Sequence, residues 1–429
     1  SVGANDSYWQ RRGSYRQLPH MHRRAFLRTT LGAGSLPLVA GISRGSAASG
    51  SATDEPTVQI RRGRRVVNQA RYDDGRRPEE SPDYEVETTA ISAATAATVD
   101  AGRALVDELR ARVADFDIEL SVDADSATGA AADVGSVGIS IQYADGGLRL
   151  FVDCPEGIDT DRVAAGVASV ESAIRSAAAD RLPEGLSEVE IEVRDHPPVS
   201  PERACADSVG RFADAQYRSQ GVAMGAAVRS EALGEIASTG FRGLRAGRAV
   251  VVTTAHTFQS RTVADADDIR GDRLYQSRRP HAIGRCHAVG WRDDPEVDAA
   301  AAAVDTDTYP SRYLAEPGGD SYTDRPIVGT ASWELLETAL VEERPIYRQG
   351  AVTGRCEGTV TELRVFDNGY RELDVDIHSG GGDSGGPYLL PSDEGYLVAA
   401  VHLGTRDDGP LRRAVFVGSV LDSLGVDFY

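Results

Sequence analysis

The period of the apolar residues changes near Pro198, and that one change rules out a uniform architecture for the whole chain. Before it, Val99, Leu105, Leu109 and Val113 recur at helical spacing in an Ala-rich stretch, predicting a helix from Ala90 to about Ala114. Val137-Gly138-Ile139-Ser140-Ile141 and Leu148-Arg149-Leu150-Phe151-Val152 flank Ala144-Asp145-Gly146-Gly147, a hairpin signal. A second helix is predicted over 160–181, and Glu188 to Val193 alternate as a strand. Helix, hairpin, helix and strand make a small α+β N-terminal domain over 90–197. Beyond Pro198 the pattern is short β-type runs broken by Gly, Asp and Pro. No long helix is expected there before Val420–Leu424, so residues 198–429 predict an all-β barrel or sandwich. Residues 49–89 lack sustained periodicity and predict a linker without a core.

The bulk properties narrow the function classes. No apolar run approaches the ~20 residues that span a bilayer, so a polytopic membrane protein is excluded and no membrane span is expected after removal of a leader. A formal charge of -20 argues against nucleic acid as a partner, because phosphate binding needs a basic surface. All 46 basic residues are Arg, against 66 acidic ones, a balance that resembles proteins of halophilic archaea; a GC-rich genome would bias basic residues towards Arg as well. Cys154, Cys205, Cys286 and Cys356 are too scattered for a disulfide framework or a CxxC site, and no HExxH occurs, so neither a metal nor another cofactor is expected. Near the start, His22-Arg23-Arg24-Ala25-Phe26-Leu27-Arg28 precedes an apolar stretch from Leu31 to Ile42 and small residues at Ser46-Ala47-Ala48. That order resembles a twin-arginine export signal over 1–48, with Met21 as the expected true start and secretion as the expected fate.

Gly382-Asp383-Ser384-Gly385-Gly386-Pro387 carries the strongest chemical signal. A serine hydroxyl is a poor nucleophile and needs a neighbouring base and N–H donors for the developing oxyanion. Flanking glycines allow a turn in which the N–H groups of Gly382 and Ser384 converge. Upstream, Val250-Val251-Val252-Thr253-Thr254-Ala255-His256 is an apolar strand that delivers a histidine behind a small alanine. Val297-Asp298-Ala299-Ala300-Ala301 offers a carboxylate before another apolar strand, with Asp293, Asp294, Asp305 and Asp307 as competitors.

The hexapeptide, the Thr-Thr-Ala-His run and the order His, Asp, Ser resemble the chymotrypsin superfamily of serine proteases. That resemblance implies an all-β two-barrel fold over 198–429 and a serine endopeptidase. Ser384 would be its nucleophile, His256 its general base, Asp298 its orienting acid, and Gly382 and Ser384 its oxyanion donors. Ile346 to Val360 and Leu424 to Tyr429 resemble the streptogrisin and alpha-lytic protease branch. In that branch an internal Arg pairs with the Asp before the nucleophile, which implies an ion pair between Arg348 and Asp383, and the 90–197 domain is implied to be a pro-region of the same chain. Members commonly carry a disulfide near Tyr347 and Glu357. Here Tyr347 takes one position and Cys356 is displaced by one, so neither that bridge nor a Cys286–Cys356 pair follows. Thr257 stands where a Cys usually follows the histidine. His378 occupies a position where trypsin-like members carry Asp, which disfavours basic substrates. His402, Leu403 and Gly404 resemble the wall of the specificity pocket, where His402 either meets an acidic substrate side chain or packs in the barrel. Protein or peptide substrates follow from this reading. The other class is a catalytically silent two-barrel binding protein.

Overall fold

Beyond residue 221 the short apolar runs assemble into two rings of antiparallel strands, the first left open between its end strands and the second closed. A computed structural model describes residues 56–73, 81–114, 137–144, 147–155, 158–183, 186, 188–197, 199–201, 221–258, 269–276, 282–290, 297–305, 308–316, 323–407 and 409–429. The expected leader over 1–48, with Met21, lies outside the described residues, as do Cys205, Asp293, Asp294 and Asp307.

The chain begins with β1 (Thr57–Val66) and β2 (Tyr84–Ser92), an antiparallel pair with a register shift between Arg61 and Gly63. This corrects the expectation of a coreless linker over 49–89. Few of its residues are buried, chiefly Ile60, Val66 and Ile91, and its order comes from pairing with a strand some 260 residues away in sequence, at Gly63↔Ala331 and its neighbours. There follow α1 (Ala93–Ala114), β3 (Gly138–Ala144), β4 (Gly147–Cys154), α2 (Thr160–Arg181), β5 (Val189–Asp195) and β6 (Val199–Pro201). All four apolar positions that predicted α1 are buried. The Asp159 carboxylate caps α2 by accepting the Arg162 N–H.

After β7 (Val222–Met224), the first ring comprises β8 (Ala227–Ser230), β9 (Ile236–Ser238), β10 (Arg242–Arg245), β11 (Arg248–Thr253), β12 (Arg273–Gln276), β13 (Ala282–Val289) and β14 (Ala300–Val304). Pairing runs β9 to β8, then β12, β13, β14, β11 and β10. Only residues 239–241 separate β9 from β10, and Gly240 N–H donates to Val252 O while Val252 N–H donates to Phe241 O, which extends the β10–β11 pairing towards β9 without a β9–β10 ladder. Valines of β11 face alanines of β14, Val252 opposite Ala301, which lets a large and a small side chain share the interior. Beside it, β15 (Pro310–Leu314) runs parallel to β7.

Next come β16 (Ile327–Ala331), which pairs with β1, and α3 (Trp333–Val341), capped by the Ser332 hydroxyl. This helix was not predicted. The second ring comprises β17 (Pro345–Gly350), β18 (Gly354–Phe366), β19 (Arg371–Asp376), β20 (Pro387–Pro391), β21 (Tyr396–Arg406) and β22 (Arg412–Phe416). Its circuit is complete and antiparallel: β17, β18, β19, β22, β21, β20 and back to β17. Helix α4 (Val417–Leu424) and β23 (Asp427–Phe428), paired to β10, end the chain. The predicted all-β class with an α+β part before it is the architecture present.

The α+β part is not a separate body. β3 adds to the edge of β18, with Ile141 opposite Leu363, and β6 pairs with β21. At that seam charge is buried in quantity. Arg364 Nε lies 2.7 Å from Asp153 Oδ2, and its other nitrogens contact Glu362, Glu372 and Asp374. Arg194 bridges Asp153 and Glu362 at 2.7 and 2.6 Å, while Arg406 and Arg413 reach Asp374 at 2.8 and 2.9 Å. Burial alone would push the Asp153 and Asp374 carboxyls up, but the arginines outweigh it and hold both well below the usual range. His196 accepts a hydrogen bond from Arg413 at 2.8 Å, and burial together with Arg364 and Arg413 pushes its imidazole down to about 2.

Candidate active site

Two turns meet between the rings. The first leaves β11 at Thr253 and places His256, 3% exposed, in a one-turn helix at Ala255–Thr257. The second carries Gly382 to Gly386 into β20. Their contact is too close for side chains: a Cβ on Gly385, whose φ is +89°, would lie 2.3 Å from Ser238 O and 2.3 Å from Thr253 Oγ1. The glycines of the hexapeptide therefore serve both the turn and its approach to the histidine-bearing strand.

Asp298, just before β14, reaches to the turn that ends the adjacent strand β11. Its Oδ2 lies 2.7 Å from His256 Nδ1, and its Oδ1 accepts the backbone N–H of the same histidine at 3.0 Å. A carboxylate gripping both ring and backbone fixes the imidazole orientation and favours the tautomer protonated on Nδ1. Among the rival carboxylates that are described, Asp305 lies elsewhere, at the end of β14.

Ser384 is 1% exposed, and its hydroxyl donates to Leu403 O at 2.9 Å. Among the described residues no hydrogen bond joins Ser384 Oγ to His256; His256 Nε2 instead stands 3.4 Å from Thr254 Oγ1. The N–H of Gly382 makes no hydrogen bond among the described residues, whereas its carbonyl accepts from the Ser238 hydroxyl at 2.9 Å.

The Ser384 turn is clamped from behind. Arg348, fully buried on β17, places Nη1 2.9 Å from Asp383 Oδ2, and its Nη2 donates to Thr353 Oγ1 and to His378 O. Asp383 also accepts from the N–H groups of Val352, Thr353 and Gly380 and from the Thr353 hydroxyl at 2.6 Å. Burial would raise this carboxyl, yet the Arg348 charge, the Thr353 hydroxyl and the Val352 N–H keep it below the ordinary range.

His402 is fully buried on β21, with Nδ1 3.1 Å from Tyr388 Oη. His378 is exposed, and what it contributes to the clamp is its carbonyl. Leu403 and Gly404 follow on β21, and the edge they begin is paired with β6, Gly404 opposite Pro201 and Arg406 opposite Val199. Cys286 and Cys356 are free thiols. Where the resemblance puts a disulfide, Tyr347 stands directly across from Glu357, and Cys356 stands across from Arg348.

Three residues at the site escaped sequence reasoning. Ser238 links the rings: its N–H donates to Ser384 O, its hydroxyl accepts Ala351 N–H and donates to Gly382 O, and its carbonyl accepts from Thr253. Thr353 joins Arg348 to Asp383, and Tyr388 holds His402. None has a local sequence signature, since each acts on residues distant in the chain.

No family model matches this chain, and no curated protein matches it. Solved structures that resemble it cover about half of it. One is a serine protease described as specific for glutamic acid and as using a histidine triad in substrate binding, with 21% identity over 48% of this chain and 100% of its own, at a TM-score of 0.36. Another is protease A of Thermobifida fusca, with 17% identity over 48% and 97% of the two chains and a TM-score of 0.33. An alpha-lytic protease homologue gives 17%, 48%, 99% and 0.32.

Proposed function

We propose that this chain is a serine endopeptidase that hydrolyses peptide bonds through an acyl-enzyme. The observation that carries the reading is the double grip of Asp298 on His256, at 2.7 Å to the ring and 3.0 Å to the backbone, on a turn packed against that of Ser384. Ser384 Oγ attacks the carbonyl carbon while its proton passes to His256 Nε2, and Asp298 stabilises the resulting imidazolium. The oxyanion takes hydrogen bonds from the N–H groups of Gly382 and Ser384, each worth about 2.7–4 kcal/mol. The amine leaves with the proton from His256, and water repeats the cycle to release the acid. Arg348 and Asp383 position the turn and touch no substrate.

The N-terminal domain is read as a pro-region. Support comes from β6, which occupies the edge beginning at Gly404, where an extended substrate would pair. Cleavage between 201 and 221 would free that edge, and N-terminal sequencing of the active form tests this. Preference for acidic side chains at the cleaved bond is supported by His402, whose Nδ1 is committed to Tyr388. Faster cleavage after Phe than after Glu would end that part. Export by the twin-arginine route, supported by Arg23-Arg24 and the apolar stretch after them, completes the reading. The mature mass of secreted protein checks it.

The decisive test is casein hydrolysis by the parent and by Ser384→Ala. The variant should lose on the order of 10⁴–10⁶ in turnover with an unchanged melting temperature. Equal turnover by both would overturn the assignment.

A further inference from the structure

The first ring carries a concentration of positive charge that the catalytic reading does not use. An open cleft of about 1030 Å³ is lined by Arg245, Arg248, Arg270, Arg285 and His287, with Asp305 as the one carboxylate among the described lining residues. In a chain of net charge -20 such a cluster is not background. At the seam the arginines are spent on acids, but among the described residues none of these four lies within ion-pair distance of a carboxylate. One donor of Arg245 goes to Leu424 O at 2.7 Å and one of Arg285 to Gly271 O at 3.0 Å, so among the described residues most of their N–H groups are uncommitted.

The backbone forces the charges together at some cost. Ala246 and Gly247 both take left-handed conformations, φ 49° and 72°, in the tight turn joining β10 to β11. That turn sets Arg245 directly opposite Arg248, and like charges facing across an antiparallel pair destabilise it. Arg285 and His287 stand two residues apart on β13. Between β11 and β13 runs β14, where Ala303 pairs with both Val250 and Arg285 and its small side chain leaves a floor between the arginines. Burial and the charges of Arg245, Arg248 and Arg270 push the His287 imidazole down, which marks how closely those groups crowd one point.

We propose that this cleft is an exosite that captures a carboxylate-rich segment of a protein substrate. The proposal rests on the peptidase reading. Strand β11 runs from Arg248 at the cleft to Thr253 beside the His256 turn, so the two sites are separated by about 17–20 Å, the length of a six-residue strand. A segment held in both places must carry its acidic residues at least about six residues from the scissile bond. A short acidic peptide fits better than a long polyanion. With a screening length of about 8 Å at physiological salt, the local field ends within the cleft and a longer polymer meets the acidic remainder of the surface.

Two measurements test this, and they fail separately. In the first, a fluorescein-labelled oligoglutamate is titrated against the Ser384→Ala chain and against the same chain with Arg245→Gln, Arg248→Gln and Arg285→Gln. Binding should weaken with salt and fall at least about tenfold in the triple variant, whose melting temperature should hold or rise as the facing charges are removed. Absence of oligoglutamate binding, binding untouched by the triple change, or tighter binding of a sulfated oligosaccharide of equal charge overturns the proposal. In the second, two quenched substrates share one cleavable core, and one adds a glutamate tract about eight residues away. The tract should lower KM about tenfold with kcat unchanged in the parent and do nothing in the triple variant. No turnover of either core counts against the peptidase reading, while the binding titration still judges the exosite.

Discussion

Among the described residues, charge is buried both behind the Ser384 turn and at the seam, and these two arrangements differ in scale and consequence. Behind the Ser384 turn one guanidinium and one carboxylate, Arg348 and Asp383, are joined by neutral donors from residues close in sequence to one or the other. At the seam four arginines and four acids drawn from β4, β5, β18, β19, β21 and β22 interlock around Arg364. A lone buried pair orients a local turn, whereas a shared network ties distant parts of the chain into one register. Removing one partner of either leaves an uncompensated charge, so both are costly to break although neither need add net stability.

The contrast can be broken most forcefully at Arg364. Arg364→Met should cost about 5 kcal/mol, the upper end for breaking a buried pair, because four carboxylates lose their common partner. Urea unfolding reads the cost, and hydrogen exchange should show protection lost first in β3, β4 and β5. A cost under about 1 kcal/mol would mean the network is not a unit. Arg348→Met should cost about 3 kcal/mol and also lose peptide hydrolysis, because Asp383 is then buried without its cation. Adding Asp383→Leu should recover stability without activity, which separates positioning of the turn from folding.

Acid sharpens the comparison at smaller scale. His196 faces Arg364, Arg413, Asp153, Asp374 and Glu372, and the folded chain binds its proton less readily than the unfolded chain does. Each step down between about pH 6.5 and about 2 therefore favours unfolding, by up to about 1.4 kcal/mol per pH unit. Asp153, Asp374 and Asp383 have depressed folded values, so their contributions are complete above the ordinary carboxyl range and fade only as pH falls through those lower values. Between pH 6.5 and 4 the seam should loosen while the Ser384 turn holds, and exchange protection measured across that interval checks it. The smallest effect belongs to an exposed pair: Glu171→Ala, opposite Arg175 on α2, should cost about 0.3–0.5 kcal/mol in the same unfolding assay.

Legibility in the sequence followed how local each cause was. The Ser384 turn and the His256 strand could be read because glycine and alanine are demanded by sterics within a few residues. The α+β pattern was readable because α1 and α2 bury regular stripes. Strands β1 and β2 were read as a linker because their order depends on β16 and their own residues are mostly polar. The helix α3 was missed because nine residues give barely two and a half turns of period. The seam was invisible for a different reason. Glu362 and Arg364, like Glu372 and Asp374, alternate as a solvated strand face does, and only tertiary pairing shows that those faces meet one another. The cluster at Arg245, Arg248, Arg270 and Arg285 was hidden likewise by an overall charge of the opposite sign.

The central claim is that Ser384 is an activated nucleophile. Its most direct test is covalent labelling of the folded protein with a fluorophosphonate, followed by mass spectrometry of the peptide that contains residue 384. The account predicts a single adduct on Ser384 that is absent from Ser384→Ala and strongly slowed in His256→Ala. A folded parent that takes no label, or takes it on another residue, would contradict it.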